Sequence, residues 1–171
     1  MVDERSLEGN AERGGIERAE TPSAGWLPIA AIGLSLIGLA DAGYLTWLKL
    51  FGGVAACAGI GDCEAVNNSI YAEIHGIPIA ALGAAAYLAL TLVLVGAIIW
   101  PGQRENAVLA FFGIALAGML YSAYLTYIEI AVLHAVCPFC VGSAVVMTLL
   151  FVLSAVELRS LTSHQSSALE G

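Results

Sequence analysis

The chain has 171 residues, of which 59% are hydrophobic and 12% charged, with a mean hydropathy of +0.85. A soluble domain is about 45–50% apolar and about 25% charged, so this composition excludes an ordinary soluble globule and assigns most of the chain to lipid. Six Lys and Arg against 14 Asp and Glu leave a net charge of −8, which excludes nucleic acid and anionic membrane surfaces as partners, and four cysteines are too few for a disulfide-rich secreted scaffold.

Residues 1–25 are polar and acidic, carry Arg5, Arg13 and Arg18, and have no apolar periodicity, which predicts a disordered tail rather than a signal peptide. Four apolar runs follow: Trp26–Phe51, Pro78–Trp100, Ala107–Ile130 and Ala135–Val156. Each exceeds the roughly 20 residues that a helix needs to cross a bilayer core. The expected fold is therefore an all-α integral membrane protein. It is a four-helix bundle over 26–156, with a cysteine loop and a short capping helix between helices 1 and 2. Residues 157–171 form a short tail. Arg104 lies in the turn Pro101–Asn106 and Arg159 in the C-terminal tail, while the loop Gly52–Ile77 and the link Ala131–Val136 have no Lys or Arg. With Lys49 as the one dissenting charge, the positive-inside rule predicts cytoplasmic termini and outward-facing cysteines.

Helices 1 and 3 also resemble each other at an offset of 80. Gly33, Gly38, Tyr44, Leu45, Thr46 and Cys57 align with Gly113, Gly118, Tyr124, Leu125, Thr126 and Cys137. Chance similarity between apolar helices competes with an internal repeat. Under either reading the four glycines are small residues expected to let helices approach closely.

The cysteines carry the chemistry. In Cys137-Pro138-Phe139-Cys140, Pro138 suits the first position of a helix, with Cys137 as its N-cap and Cys140 in its first turn. Unpaired N–H groups and the macrodipole stabilise a thiolate there, as dithiol–disulfide exchange requires. Cys57 and Cys63 are separated by a segment containing Gly59 and Gly61, flexible enough to close a disulfide or to swing a thiol elsewhere. Alone they would read as a structural disulfide. Beside a redox-type pair they read as the first stage of a relay that passes two electrons through mixed disulfides. Two alternatives stay open: a non-enzymatic membrane module held by a loop disulfide, and a metal-handling protein using the thiolates with His75 or His134. The usual paired metal-binding knuckles are missing, so no metal ligand is assigned.

The order of these features resembles the vitamin K epoxide reductase family, particularly its bacterial members. Gly61-Asp-Cys-Glu-Ala-Val-Asn-Asn-Ser69, Gly76-Ile-Pro78, Gly83 and the two Tyr-Leu-Thr triplets are similar to family segments, over roughly Trp26 to Val156. The resemblance implies a membrane thiol:quinone oxidoreductase that supports disulfide formation. Cys63 would form the mixed disulfide with a thioredoxin-like partner of the disulfide-bond protein A type, Cys57 would pass electrons to Cys137, and Cys140 would lie nearest the quinone. The quinone would be a ubiquinone, a menaquinone or a phylloquinone-like molecule, contacted by Val66, Asn67, Ser69 and Phe139. The implied location is the inner (plasma) membrane, with the cysteines on the periplasmic or exterior face. Many bacterial relatives carry a fused thioredoxin domain, so here the partner is expected to be a separate protein. Ala144 replaces a tyrosine of animal members, which puts epoxide reduction in doubt. Asp41 reads either as a proton route to the quinone or as a hydrated or neighbour-bonded residue near the outer end of helix 1.

Overall fold

A computed structural model describes residues 26–53, 57 and 61–169; the predicted N-terminal tail lies outside the described residues. Helix α1 spans Leu27–Phe51, α2 is the short Cys63–Asn67, α3 spans Ile79–Ile99, α4 spans Arg104–Ile128 and α5 spans Pro138–Leu169. Four of these helices are long and apolar enough to cross a membrane. In lipid a backbone must satisfy its own hydrogen bonds, which makes helices the natural form for apolar runs of this length. The long helices form a ring in which α1 packs on α3, α3 on α4, α4 on α5 and α5 on α1. Exposed Ile37, Leu92, Leu120 and Val152 cover its outside, as surfaces turned to lipid require.

The expected bundle is present, with three differences at its ends. The third helix extends past Ile128 as a π-helical turn, Glu129–Leu133, and stops at His134 in a left-handed conformation (φ +51°). The last helix starts at Pro138 instead of Ala135, because only there does the chain leave the turn. It runs on to Leu169, well past Val156, since the loss of apolar residues does not interrupt the backbone hydrogen bonds. Near its middle Glu157 meets Arg104 at 3.4 Å, at the end of the bundle opposite the cysteines.

Two of the four glycines admit close packing, and the other two do not. The Tyr87 ring from α3 lies against Gly38 of α1 where a Cβ would stand, and its phenol donates across the bundle to the Ser143 carbonyl of α5 at 2.9 Å. Met147 of α5 lies in the same way against Gly118 of α4, its sulfur 2.7 Å from where a Cβ would stand. Gly33 and Gly113 have nothing within 4 Å, so their place in the repeat is not a packing requirement. The repeat does recur in local bonding, since Thr46 donates to the Ala42 carbonyl at 2.7 Å and Thr126 to the Ser122 carbonyl at 2.9 Å. Beyond Tyr87 and Met147 the centre is mainly apolar, built from Ala31, Leu90, Leu94, Phe111, Ala115 and Leu150, with the buried hydroxyls of Ser35 and Ser154 donating to carbonyls of their own helices.

At the opposite end the chain between α1 and α3 folds into a cap. Asp62 caps α2 by accepting the Ala65 N–H at 3.0 Å. A 3₁₀ turn at Ile70–Ala72 leads into a two-stranded hairpin, Glu73–Ile74 with Ile77–Pro78, turned at His75 and Gly76 with φ of +52° and +80°. Lys49, the charge that dissented from the topology, ties this cap to α1. It donates to the Asn67 carbonyl at 2.7 Å and pairs with Glu73 at 3.1 Å.

Candidate active site

All four cysteines lie at the capped end. A disulfide joins Cys57 and Cys63, with Cα atoms 6.3 Å apart, whereas Cys137 and Cys140 are free thiols. Cys57 is half-buried, and Cys63 is only 2% exposed. The two pairs are fastened together through the backbone. The Asp62 N–H, one residue before Cys63, donates to the carbonyl of Val136, one residue before Cys137, at 3.1 Å. This approach depends on Gly61, whose φ is +85° and whose missing Cβ would collide with that same carbonyl. Gly61→Ala would add both the collision and a left-handed strain of about 1–2 kcal/mol. Displacements of about 1 Å can slow a positioned reaction about 10²-fold. We expect a loss of that order in transfer between the pairs, measured by thiol-driven acceptor reduction, with the Cys57–Cys63 disulfide still forming.

The Cys-x-x-Cys opens α5 as its sequence anticipates. Pro138 takes the first helical position, the Cys140 N–H donates to the Cys137 sulfur at 3.4 Å, and Val141 N–H closes the first turn onto the Cys137 carbonyl at 3.0 Å. The Cys140 thiol also donates to the Cys137 sulfur, which lowers the Cys137 pKa from its ordinary value. The N–H groups of Cys140 and Phe139 act in the same direction, while burial and the nearby Glu129 oppose it. Stabilising a thiolate at a helix start favours attack on a neighbouring disulfide.

One carboxyl group missed by the sequence reading organises this pair. Glu129, 3% exposed, accepts the Cys137 N–H at 3.1 Å, which holds its carboxyl beside the Cys-x-x-Cys. The π turn and the left-handed His134 fold the chain back so that a residue eight positions upstream reaches the motif. The signal available in the sequence was a lone acid in an otherwise uncharged membrane run, which is by default a functional candidate.

Behind Cys140 a cavity of about 360 Å³ opens between the cap and the four helices, within the range of about 300–1,000 Å³ common for small-molecule sites. Val66, Asn67 and Ser69 of the cap segment line it, as does Cys140. Phe139 is not on its wall; its ring packs on Tyr44 with centroids 5.5 Å apart, because neighbouring residues on a helix point to different faces. Asp41 also lines the cavity, and its Oδ2 is buried without a hydrogen-bond partner, so the neighbour-bonded reading of this residue does not hold. His75 and His134 are the two non-glycine residues in left-handed turn positions among the described residues. Among the described residues, no three His, Cys, Asp or Glu side chains are grouped to hold a metal ion.

The family model described as Vitamin K epoxide reductase family matches residues 29–155. Thiol-disulfide oxidoreductase LTO1 of Arabidopsis thaliana is 35% identical over 125 residues, which cover 70% of this chain and 33% of that protein. The chain therefore spans about a third of that relative's length.

Proposed function

Because the chain belongs to the vitamin K epoxide reductase family, we propose that it is a membrane thiol oxidoreductase that carries electrons through two cysteine pairs to a quinone. The observation that carries this reading is the Asp62–Val136 bond. It fastens a closed outer pair to a reduced inner pair, and the inner pair contributes Cys140 to the wall of an apolar cavity. A merely structural loop disulfide would have no need of that attachment.

The work of the chain's own residues then follows in order. A dithiol on a thioredoxin-like partner opens the Cys57–Cys63 disulfide, and its own cysteines become oxidised. The reduced outer pair next opens a Cys137–Cys140 disulfide. Each exchange passes through one mixed disulfide, breaking one S–S bond for each one formed. The Cys137–Cys140 dithiol finally returns to a disulfide, giving up two electrons and two protons. A quinone supplies the acceptor for both, becoming a hydroquinone. The residues fit such a head group. Asn67, Ser69 and the unpaired Asp41 oxygen offer polar contacts within mostly apolar walls, so Val66, Asn67 and Ser69 would hold it from the cap side.

Carried over from the family resemblance, Cys63 takes the partner and Cys57 reaches Cys137. The deep burial of Cys63 against the more accessible Cys57 favours a second reading with these roles exchanged. Trapping distinguishes the two. If Cys57 is the inner donor, Cys63→Ser accumulates a Cys57–Cys137 disulfide; if the roles are exchanged, Cys57→Ser accumulates Cys63–Cys137. Peptide mapping without reductant reads the outcome. The proposed function itself is tested by reduction of menadione with dithiothreitol in vesicles of the purified protein. No increase over empty vesicles would sink it. This reading sets the cysteine end outside the cytoplasm and both termini inside. Arg104 at the far end of the bundle supports that orientation.

A further inference from the structure

We propose that Glu129 is the proton carrier of the inner dithiol: it takes the Cys140 proton as that sulfur is oxidised and releases it into the cavity. This inference rests on the thiol oxidoreductase reading and adds to it a residue with a chemical role. Four observations support it. Glu129 is almost fully enclosed at 3% exposure, in a membrane run where an acid is costly. The Cys137 N–H that it binds and the Cys140 N–H bonded to the Cys137 sulfur at 3.4 Å belong to one helical turn, which brings the carboxyl beside the Cys140 sulfur. The contact from the Cys137 N–H, at 3.1 Å, fixes the carboxyl relative to both sulfurs. Finally, Glu129 and Cys140 both line the cavity in which the acceptor would be bound.

The balance is simple. Oxidation of the two thiols breaks two S–H bonds and forms one S–S bond, releasing two electrons and two protons; a quinone accepts both and becomes a hydroquinone. Glu129 handles the Cys140 proton. The Cys137 proton leaves when that sulfur becomes a thiolate, and it is replaced from water at the cavity mouth. The other ionisable groups on the cavity wall are Asp41 of α1, Tyr71 of the cap, Tyr87 of α3 and Tyr121 of α4. Among the described residues Asp41 and these tyrosines make no hydrogen bond to either cysteine, whereas Glu129 binds the Cys137 N–H and is the carboxyl group beside the pair.

A purely structural Glu129 would only hold the Cys137 N–H, and glutamine can do that equally well. The test therefore compares Glu129→Gln with Glu129→Asp in the full chain, in vesicles with dithiothreitol and menadione. General acid–base groups contribute about 10²–10⁴-fold. Glu129→Gln is expected to lower kcat by about 10²-fold or more, with little change in KM for menadione, and Glu129→Asp to recover much of the rate. Glu129→Gln within about twofold of the wild type overturns the proposal. Should the wild-type protein itself fail to reduce menadione, the quinone reading falls and a separate measurement decides for Glu129. The pH profile of iodoacetamide alkylation at Cys140 shifts in Glu129→Gln if the carboxyl handles that proton. Coincident profiles overturn the proposal.

Discussion

Cys140→Ala is expected to bring dithiothreitol-driven menadione reduction down to the rate of empty vesicles, a loss of about 10³-fold or more for removal of a reacting group. Cys140 is the inner thiol on the cavity wall, and it contacts both the Cys137 sulfur and the Glu129 carboxyl. Without it, Cys137 has no neighbour with which to close a disulfide after giving up electrons, so the cycle stops after one exchange. The outer pair does not depend on it. Cys57 and Cys63 should still be found linked, and Cys137 should still be alkylated. Loss of one sulfur from a cavity wall leaves the packing of Tyr87 and Met147 untouched, so a folded, inactive protein is the expected product. Sustained quinone reduction by Cys140→Ala would disprove the relay.

The second large effect has two parts with opposite signs. Asp41→Leu should stabilise the bundle and slow the reaction. Its Oδ2 is buried with no partner, and leaving a buried polar group unpaired costs about 1–3 kcal/mol. An apolar side chain with cavity space in front of it removes that cost. For a chain of this length about 1 kcal/mol corresponds to roughly 2–4 °C, so Tm in detergent should rise by about 5 °C. Menadione reduction should fall by about tenfold or more, since stored instability at a functional site is commonly retained for activity. A drop in Tm with full activity would make Asp41 a structural residue and end the proton-route reading.

The sequence made the membrane fold legible because its signal is simple. Four long apolar runs, interrupted only by Asp41, Lys49 and Glu129, read as four spans, and Pro138 between two cysteines marks a helix start by its own geometry. The cap residues Val66, Asn67 and Ser69 were found through resemblance, and they do line the cavity. What the sequence left unread depends on three-dimensional geometry: chain bends, helix phase and packing. Glu129 stands near the end of an apolar run in the sequence, and only the π turn and the left-handed His134 fold it beneath the motif. Phe139 sits in the motif but points to Tyr44, a matter of helix phase that the motif itself does not reveal. Lys49 seemed to contradict the topology, and its partners Asn67 and Glu73 lie 18 or more residues away in the cap. Gly38 and Gly118 were grouped with Gly33 and Gly113 by sequence alone. Only three-dimensional packing separates the pair that receives a side chain from the pair that faces open space.

Tyr87 against Gly38 and Met147 against Gly118 close the cavity from below, ahead of a mainly apolar stretch built around Leu90, Phe111 and Leu150. In a membrane that stores energy as a voltage, this floor has an electrical meaning. Protons exchanged between the thiols, the cavity and an acceptor bound there would have to enter and leave on the cap side. A charge attempting the other route meets a hydrocarbon layer, where even a side chain costs about 2.5–3.5 kcal/mol at the centre. The bundle can therefore cycle dithiols and disulfides without short-circuiting the bilayer that houses it. A cavity that enlarges Tyr87→Ala would be expected to show this first as an ion leak.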